Sequence, residues 1–176
     1  MRCAVLALCL ACPAPALAEV IATPGAAGFD YGIFCSLEPD SFKEAEDTIE
    51  GTINQFSESP DFIWKGTTVP AMVGMSFGVH VQTLPQYEGA VRFTVSHPPM
   101  GNAGTTQQGW IGTLNAVEMQ YVGFSFDHDY ETVTGPWTMR ADTLDGDPIY
   151  EITFDVVDPR LLPEITAACG RSDLLS

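Results

Sequence analysis

Positively charged side chains are scarce in this sequence. Lysine and arginine number 7, against 23 aspartates and glutamates, and the formal net charge is −16 at pH 7. Phosphate binding needs clustered lysine and arginine, so the composition predicts no nucleic-acid partner. The acidic excess favours solubility and can attract cations. A hydrophobic fraction of 45% is too high for a disordered chain, which indicates a folded protein.

Apolar runs long enough to cross a membrane are also lacking. Near the N-terminus Arg2 precedes the apolar run Ala4–Ala11, which is far shorter than the roughly 20 residues of a membrane span. The A-x-A pattern at Ala16–Ala18 then resembles a signal-peptidase site. We predict that residues 1–18 are a secretory signal cleaved after Ala18. The mature protein is then periplasmic or secreted, with no transmembrane segment.

Few cysteines remain once this signal is removed. Cys3, Cys9 and Cys12 leave with it, whereas Cys35 and Cys169 stay near the two ends of the mature chain. In an oxidising compartment such a pair most simply forms one disulfide, and two free buried thiols are the alternative. A lipid anchor on Cys12 competes with cleavage after Ala18. It is the weaker reading, because Cys9 stands where lipoprotein signals carry a large aliphatic residue.

The remaining sequence alternates apolar and polar residues with a period of two. The segments MSFGVHVQT, AVRFTVSH and YVGFSFD illustrate this pattern, which predicts half-buried antiparallel strands. Strands are predicted near residues 29–35, 48–55, 62–69, 74–82, 90–97, 110–115, 119–126, 137–143 and 149–157. The predicted fold is all-β: one antiparallel, immunoglobulin-like sandwich of seven to nine strands spanning residues 19–176. A small barrel is the alternative.

Three segments fall outside this alternation. Ser41–Asp47 and Pro159–Ala168 have the composition of short helices, the second forming a C-terminal helical segment. The polar, glycine-rich segment His97–Gly109 is predicted to be a long exposed loop, of the kind that often carries recognition.

A hairpin is predicted within WTMRADTLDGDPIYEITFDVV. Asp145-Gly146 favours a two-residue turn in which both residues have positive φ. That turn pairs Trp137 with Phe154 and places Pro148 opposite Thr143. Trp137 is then predicted to be the main core anchor, following a turn at Gly135-Pro136.

Five motifs in order carry a resemblance to a known family. They are GIFC, a G-x-x-F-G strand, HPP, VTGPW and a final hairpin containing FDVVDP, together covering about residues 28–159. This order resembles an uncharacterised family of secreted proteobacterial domains, the domain of unknown function numbered 3859. The resemblance implies an exported β domain and brings no catalytic residue with it.

One pentapeptide, GMSFG, matches the G-x-S-x-G motif of hydrolases around Ser76. In α/β-hydrolases this motif forms a sharp turn between a strand and a helix. Here it continues into an alternating strand, and no βαβ pattern surrounds it. We therefore predict that Ser76 is an outward-facing strand residue rather than a nucleophile, and no catalytic residue is assigned.

The stretch Asp127-His128-Asp129 suggests a metal site. His128 and His97, with Asp127, Asp129 or Met100, have the ligand types of zinc or copper sites. However, the H-x-H, H-x₃-H and C-x₂-C spacings of local metal sites are absent from the predicted mature chain, residues 19–176. A polar corner at the end of a strand explains the stretch with fewer assumptions, and we predict no metal or cofactor.

Aromatic residues offer a second candidate surface. Trp64, Trp110, Tyr87 and Tyr121 could form a carbohydrate platform, although single aromatics in strands more often belong to the core. The leading interpretation is a non-enzymatic exported module that binds a protein or an envelope component. The alternatives are a periplasmic metal-binding protein using His97 and His128, and a hydrolase using Ser76.

Overall fold

The computed structural model describes residues 20–21 and 25–170; the predicted signal peptide, residues 1–18, lies outside them. These residues form two facing sheets, a separate small hairpin and one short helix. The elements are β1 Val20–Ile21, β2 Ala26–Cys35, β3 Ser41–Glu44, β4 Thr52–Gln55, β5 Trp64–Lys65, β6 Thr68–Pro70, β7 Met75–Thr83, β8 Gly89–Met100, β9 Thr105–Leu114, β10 Gln120–Ser125, β11 Gly135–Thr143, β12 Pro148–Val157 and α1 Pro163–Cys169.

Two sheets rather than a closed barrel make the fold. The first sheet has the order β1-β12-β11-β8-β9, with β6 pairing in parallel with β12, and the second has the order β10-β7-β2-β5. All the other pairings are antiparallel. The all-β sandwich and the C-terminal helical segment are confirmed. The described residues form twelve strands rather than the predicted seven to nine, because β1 and β3 add two and the predicted strand at 62–69 is divided into β5 and β6. In the part of the chain that the structure describes, no helix has the length and apolarity to cross a membrane.

The core lies between the inward faces of the two sheets, as the period-two pattern predicts. Trp137 is fully buried in β11, and its ring contacts Phe77 of β7 and Phe124 of β10 across the sandwich. Its indole N–H donates to the carbonyl of Val133 at 2.9 Å, so the ring's polar atom is satisfied. The predicted core anchor is confirmed.

The β11–β12 hairpin has the predicted register through Trp137–Phe154 and Met139–Ile152. Its turn, however, is not the predicted two-residue turn. Only Gly146 has a positive φ, of 94°, and the backbone N–H of Thr143 donates to the carbonyl of Asp147 at 2.9 Å. These features define a three-residue loop closed by a glycine bulge.

An irregularity in β12 restores the register after this longer loop. Pro148 lies opposite Asp142 rather than the predicted Thr143, whereas Tyr150 lies opposite Ala141 as predicted. Ile149 is therefore an extra residue on its strand, a β-bulge. The bulge compensates for the additional loop residue, and both Ile149 and Tyr150 are buried.

The predicted short helix at Ser41–Asp47 is wrong. Residues Ser41–Glu44 form β3, which pairs with β4 in a hairpin outside both sheets. All four β3 residues are exposed, so no apolar stripe favours a helix here. The N–H of Ala45 donates to the carbonyl of Gly51, whose φ is 69°, and this closes the turn between the strands.

The predicted long loop at His97–Gly109 is also wrong. Strand β8 continues to Met100 and β9 begins at Thr105, which leaves a short connection containing Gly101 and Gly104, both with φ of 65°. The β8–β9 register is irregular between Ser96 and Met100, where the prolines of HPP lack an N–H for a regular ladder.

A disulfide joins Cys35, at the end of β2, to Cys169, at the end of α1, across a sequence separation of 134. The predicted pairing is confirmed. Beside it Ile165 packs against the core, so the bond holds the C-terminal helix against the second sheet.

We expect Trp137→Ala to lower the free energy of unfolding by about 3–5 kcal/mol, because truncation removes buried contacts and leaves a cavity. Urea unfolding followed by circular dichroism measures this loss. Trp64→Ala is the matched control, because Trp64 is only partly buried. A loss below about 1 kcal/mol for Trp137→Ala, the range of exposed sites, would contradict its role as core anchor.

We expect Cys169→Ser to lower stability by about 4–5 kcal/mol in the chain-entropy treatment, because the bond closes a very long loop. The variant is compared with the wild type, oxidised and reduced, in urea unfolding of protein beginning at Glu19. Two thiols titratable in oxidised, unfolded wild-type protein would contradict the pairing.

Candidate functional site

The sandwich is open along one side, where β9 and β10 are edge strands of different sheets. Within the two sheets, β9 pairs with β8 and β10 pairs with β7. Between the two edges lies a cleft of about 430 Å³. The apolar floor of this cleft is formed by side chains from β8, β9 and β10: Phe93, Val95, Trp110, Val122 and Phe124. This volume lies within the usual range of small-molecule sites.

Aromatic packing holds the floor of this cleft in place. The ring centroids of Phe93 and Trp110 are 5.4 Å apart, and those of Phe124 and Trp137 are 5.0 Å apart. A Cβ added at Gly112 would come within 2.7 Å of the Phe93 ring, so the glycine leaves room for that ring. The floor is thus continuous with the core.

Of the aromatic residues considered for a carbohydrate platform, Trp110 and Tyr121 line the cleft. Trp64 and Tyr87 instead pack against the core. The four side chains therefore do not form one platform, although two of them contribute to the candidate site.

The β3–β4 hairpin lies across the opening and contacts both edges. On the β9 side, the Lys43 ammonium donates to the carbonyl of Ile111 at 3.2 Å. On the β10 side, the Asn54 amide donates to the carboxylate of Asp127 at 3.2 Å. The hairpin therefore forms the outer wall of the cleft.

A buried histidine and glutamine connect the hairpin to the core. His97 Nδ1 is 2.9 Å from the carbonyl of Pro98, and His97 Nε2 is 3.4 Å from the side-chain nitrogen of Gln108. This pattern assigns the ring proton to Nδ1. The Gln108 oxygen accepts from the N–H of Ile49 at 2.7 Å, and burial lowers the pKa of His97. His97 also stacks on Trp137, as expected of a histidine at the sandwich rim.

The Asp127-His128-Asp129 stretch forms a corner closed by Glu131. One carboxylate oxygen of Glu131, Oε2, accepts from the N–H groups of Asp127 at 2.7 Å and His128 at 2.8 Å. Glu131 is only 5% exposed, and burial raises the pKa of its carboxyl group even though these two bonds oppose the shift. A short 3₁₀ turn, Asp129–Glu131, brings the carboxylate back under the two donors.

The two histidines considered as metal ligands have separate partners. His128 stacks on Tyr130 with ring centroids 5.3 Å apart, and its Nε2 lies 3.7 Å from a carboxylate oxygen of Glu50. The Tyr130 hydroxyl donates to the same oxygen of Glu50. Among the residues described, no three His, Cys, Asp or Glu side chains are grouped to hold a metal ion.

Comparison with known proteins identifies the family of this chain. Residues 23–156 match the family described as a domain of unknown function, DUF3859. The chain belongs to this family. The secreted and proteobacterial character that the resemblance implies stays a prediction.

The fold of this DUF3859 chain is shared by a solved protein. It is similar to an immunoglobulin-like protein from Pseudomonas aeruginosa, with a TM-score of 0.50 and 19% sequence identity, over 81% of this chain and 99% of that one. At this identity the similarity establishes the immunoglobulin-like fold alone. No curated protein matches the chain.

Ser76 lies in a row of hydroxyl groups on the outer side of the second sheet. Its Oγ is 2.8 Å from that of Ser36 and 2.7 Å from that of Ser125. The predicted outward direction is correct with respect to the core, but Ser76 is fully buried rather than exposed. Neither partner is a base, so the G-x-S-x-G match in this DUF3859 chain does not have the neighbours of a nucleophile.

A small aromatic layer covers this outer side. His80 stacks on Phe62 with ring centroids 4.4 Å apart, and burial lowers the pKa of His80. Tyr121 lies over the cross-strand pair Gly78 and Gly123; a Cβ at Gly123 would come within 2.0 Å of its hydroxyl oxygen. Polar residues on this face, such as His80, are therefore covered by aromatic side chains such as Phe62 rather than by solvent.

Sequence reasoning missed Glu131 and Glu50 as members of the candidate site. The available signal for Glu131 was its spacing, three residues after His128, which is typical of a side chain that caps a turn. Glu50 gave no comparable signal, because it reaches the cleft only through the β3–β4 hairpin.

We expect Ser76 to remain unmodified when the folded protein is treated with a fluorophosphonate, because its hydroxyl is buried and its partners are hydroxyls. Peptide mass spectrometry detects the adduct, and a serine hydrolase treated in parallel verifies the reagent. A stoichiometric adduct on Ser76 would restore the hydrolase interpretation.

Proposed function

We propose that this protein is an exported, non-enzymatic binding module that holds a small ligand with an apolar body in the cleft between β9 and β10. The observation that carries the proposal is the cleft itself. Its floor is apolar and aromatic, and polar side chains of the β3–β4 hairpin, of the strand edges and of the Asp127-His128 corner surround that floor. Small-molecule sites commonly combine an apolar wall with a few oriented polar groups.

The polar groups in the cleft support binding better than catalysis. Gln108 holds the hairpin, Glu131 holds the corner, and Asp127 accepts from Asn54. Each of these contacts fixes local structure. These structural partners support the non-enzymatic part of the proposal.

Export is supported by two independent features of the chain. The N-terminal segment has the charge, apolar run and A-x-A pattern of a secretory signal. The Cys35–Cys169 disulfide is typical of proteins that fold in an oxidising compartment. We therefore propose that the mature protein is periplasmic or secreted.

The test uses N-phenyl-1-naphthylamine, a neutral apolar fluorophore. We expect its emission to rise on binding, with energy transfer from Trp110, which lines the cleft. Val122→Trp fills the cleft with a large side chain, so affinity should fall at least about tenfold, a change of about 1.4 kcal/mol.

The matched control is Val117→Trp, because Val117 is 83% exposed and lies outside the cleft. This variant should bind the fluorophore like the wild type. Cooperative urea unfolding of both variants verifies that they are folded. Equal affinities in the two variants, or no binding by the wild type, would reject the cleft as a ligand site.

A further inference from the structure

The free edge of β10 borders the cleft. Among the strands that the structure describes, β10 pairs with β7 alone and ends the second sheet. All of its residues, Gln120–Ser125, line the cleft. Gly123 is among them although it has no side chain, so the cleft is bounded there by the backbone of the strand.

The register of β10 on β7 decides which backbone groups face outward. The N–H of Phe126, the residue after β10, donates to the carbonyl of Met75 at 2.8 Å in the same register as the strand. In an antiparallel pair, residues that bond to the partner alternate with residues that do not. Tyr121, Gly123 and Ser125 therefore direct their backbone N–H and C=O groups away from β7. Within residues 20–21 and 25–170, the structure records no hydrogen bond to these groups.

The β9 edge on the other side of the cleft is covered. The N–H of Gly109 donates to the carbonyl of Asp47 at 3.2 Å, and the carbonyl of Ile111 accepts from the Lys43 ammonium at 3.2 Å. On the β10 side, the β3–β4 hairpin donates to the corner that follows the strand. The hairpin therefore protects the backbone of β9 and leaves that of β10 open to the cleft.

An edge strand with free backbone groups pairs readily with another extended chain. Natural edge strands commonly block such pairing with charged residues or proline, and the β10 sequence QYVGFS contains neither. A peptide that adds to an edge gains main-chain hydrogen bonds, and its alternate side chains give specificity. Val122 and Phe124, which alternate with the free positions, supply an apolar floor for those side chains.

Charge narrows the choice of occupant. The carboxylates of Glu50 and Asp127 are exposed along the cleft, whereas Lys43 is the one lysine or arginine among its lining residues. This complementarity favours a peptide with basic residues beside its apolar ones. A second copy of the chain is disfavoured, because each copy has a formal net charge of −16 and like charges repel.

We propose that the ligand of this cleft is an extended, basic peptide segment of another protein, which adds as a strand to the free edge of β10. Its main chain bonds to the N–H and C=O groups of Tyr121, Gly123 and Ser125, and its alternate apolar side chains lie on Val122 and Phe124. This rests on the proposed function and names the class of its ligand.

The probe is the peptide KVSVSVK, acetylated and amidated at its ends, with alternating valines and a lysine at each end. We expect it to displace N-phenyl-1-naphthylamine from the wild-type protein. The peptide EVSVSVE has the same apolar pattern and the opposite charge, so it should need a concentration at least about tenfold higher, a difference that shrinks as salt is added. KVSVSVK with N-methyl groups on its five central residues cannot donate along its edges and should not displace the fluorophore.

Two variants of one residue test the edge itself. Ser125→Pro removes an outward N–H that the ladder with β7 does not use, a position where an edge strand tolerates proline. Ser125→Ala is the matched control, because it keeps the N–H and, like the proline variant, loses the hydroxyl bonded to Ser76. Ser125→Pro should bind KVSVSVK about tenfold more weakly than Ser125→Ala, since a main-chain hydrogen bond is lost and the ring obstructs the edge. Both variants should bind the fluorophore equally.

The outcomes separate this proposal from the proposed function. If the fluorophore binds and KVSVSVK does not displace it, the peptide class is wrong and the cleft remains a small-molecule site. If neither binds to folded wild-type protein, the binding function fails as well.

Three further results would overturn parts of the assignment. Equal binding of KVSVSVK by the two Ser125 variants, or equal competition by the N-methylated peptide, would overturn strand addition. Equal competition by EVSVSVE would overturn the basic character of the ligand. A wild-type dimer in light scattering that Ser125→Pro abolishes would make a second copy the occupant in place of a peptide.

Discussion

The packing of Trp137 across the sandwich is the interaction on which most of the structure depends. Its ring lies in the first sheet and contacts Phe77 and Phe124 of the second. It also stacks on His97, which contacts Gln108 and, through it, the β3–β4 hairpin. The same side chain therefore joins the two sheets, supports the floor of the cleft and positions the residues that hold its outer wall.

The buried core around Trp137, which stabilises the fold, and the cleft, where we propose that a ligand binds, are therefore two parts of one continuous set of contacts. Trp137 and its ring contacts Phe77 and Phe126 are fully buried, so a ligand does not reach them. β9 and β10 are edge strands of the two sheets, and the cleft is lined by side chains from both of them. Val122 and Phe124 lie on this boundary, partly packed on the core and partly facing the cleft.

The sequence predicts the centre of this molecule better than its margins. Periodicity and the inferred turn correctly placed Trp137 opposite Phe154, although the predicted turn type was wrong. The register is still correct because the extra loop residue is compensated by the bulge at Ile149. The β3 strand has no buried face, so periodicity carried no signal for it. Glu131 could be placed near a turn, but the burial of its carboxylate beneath the N–H groups of Asp127 and His128 depends on how the corner folds, which no local pattern contains.

The disulfide also decides how the molecule would respond to mechanical force. Cys35 and Cys169 enclose a sequence separation of 134, so tension applied between the chain ends passes through the S–S bond and bypasses the strands from β3 to β12. Among the strands that the structure describes, β1 and β2 alone would bear the load directly. While the bond is intact, the cleft is shielded from pulling, and reduction would expose nearly the whole sandwich to extension in one step.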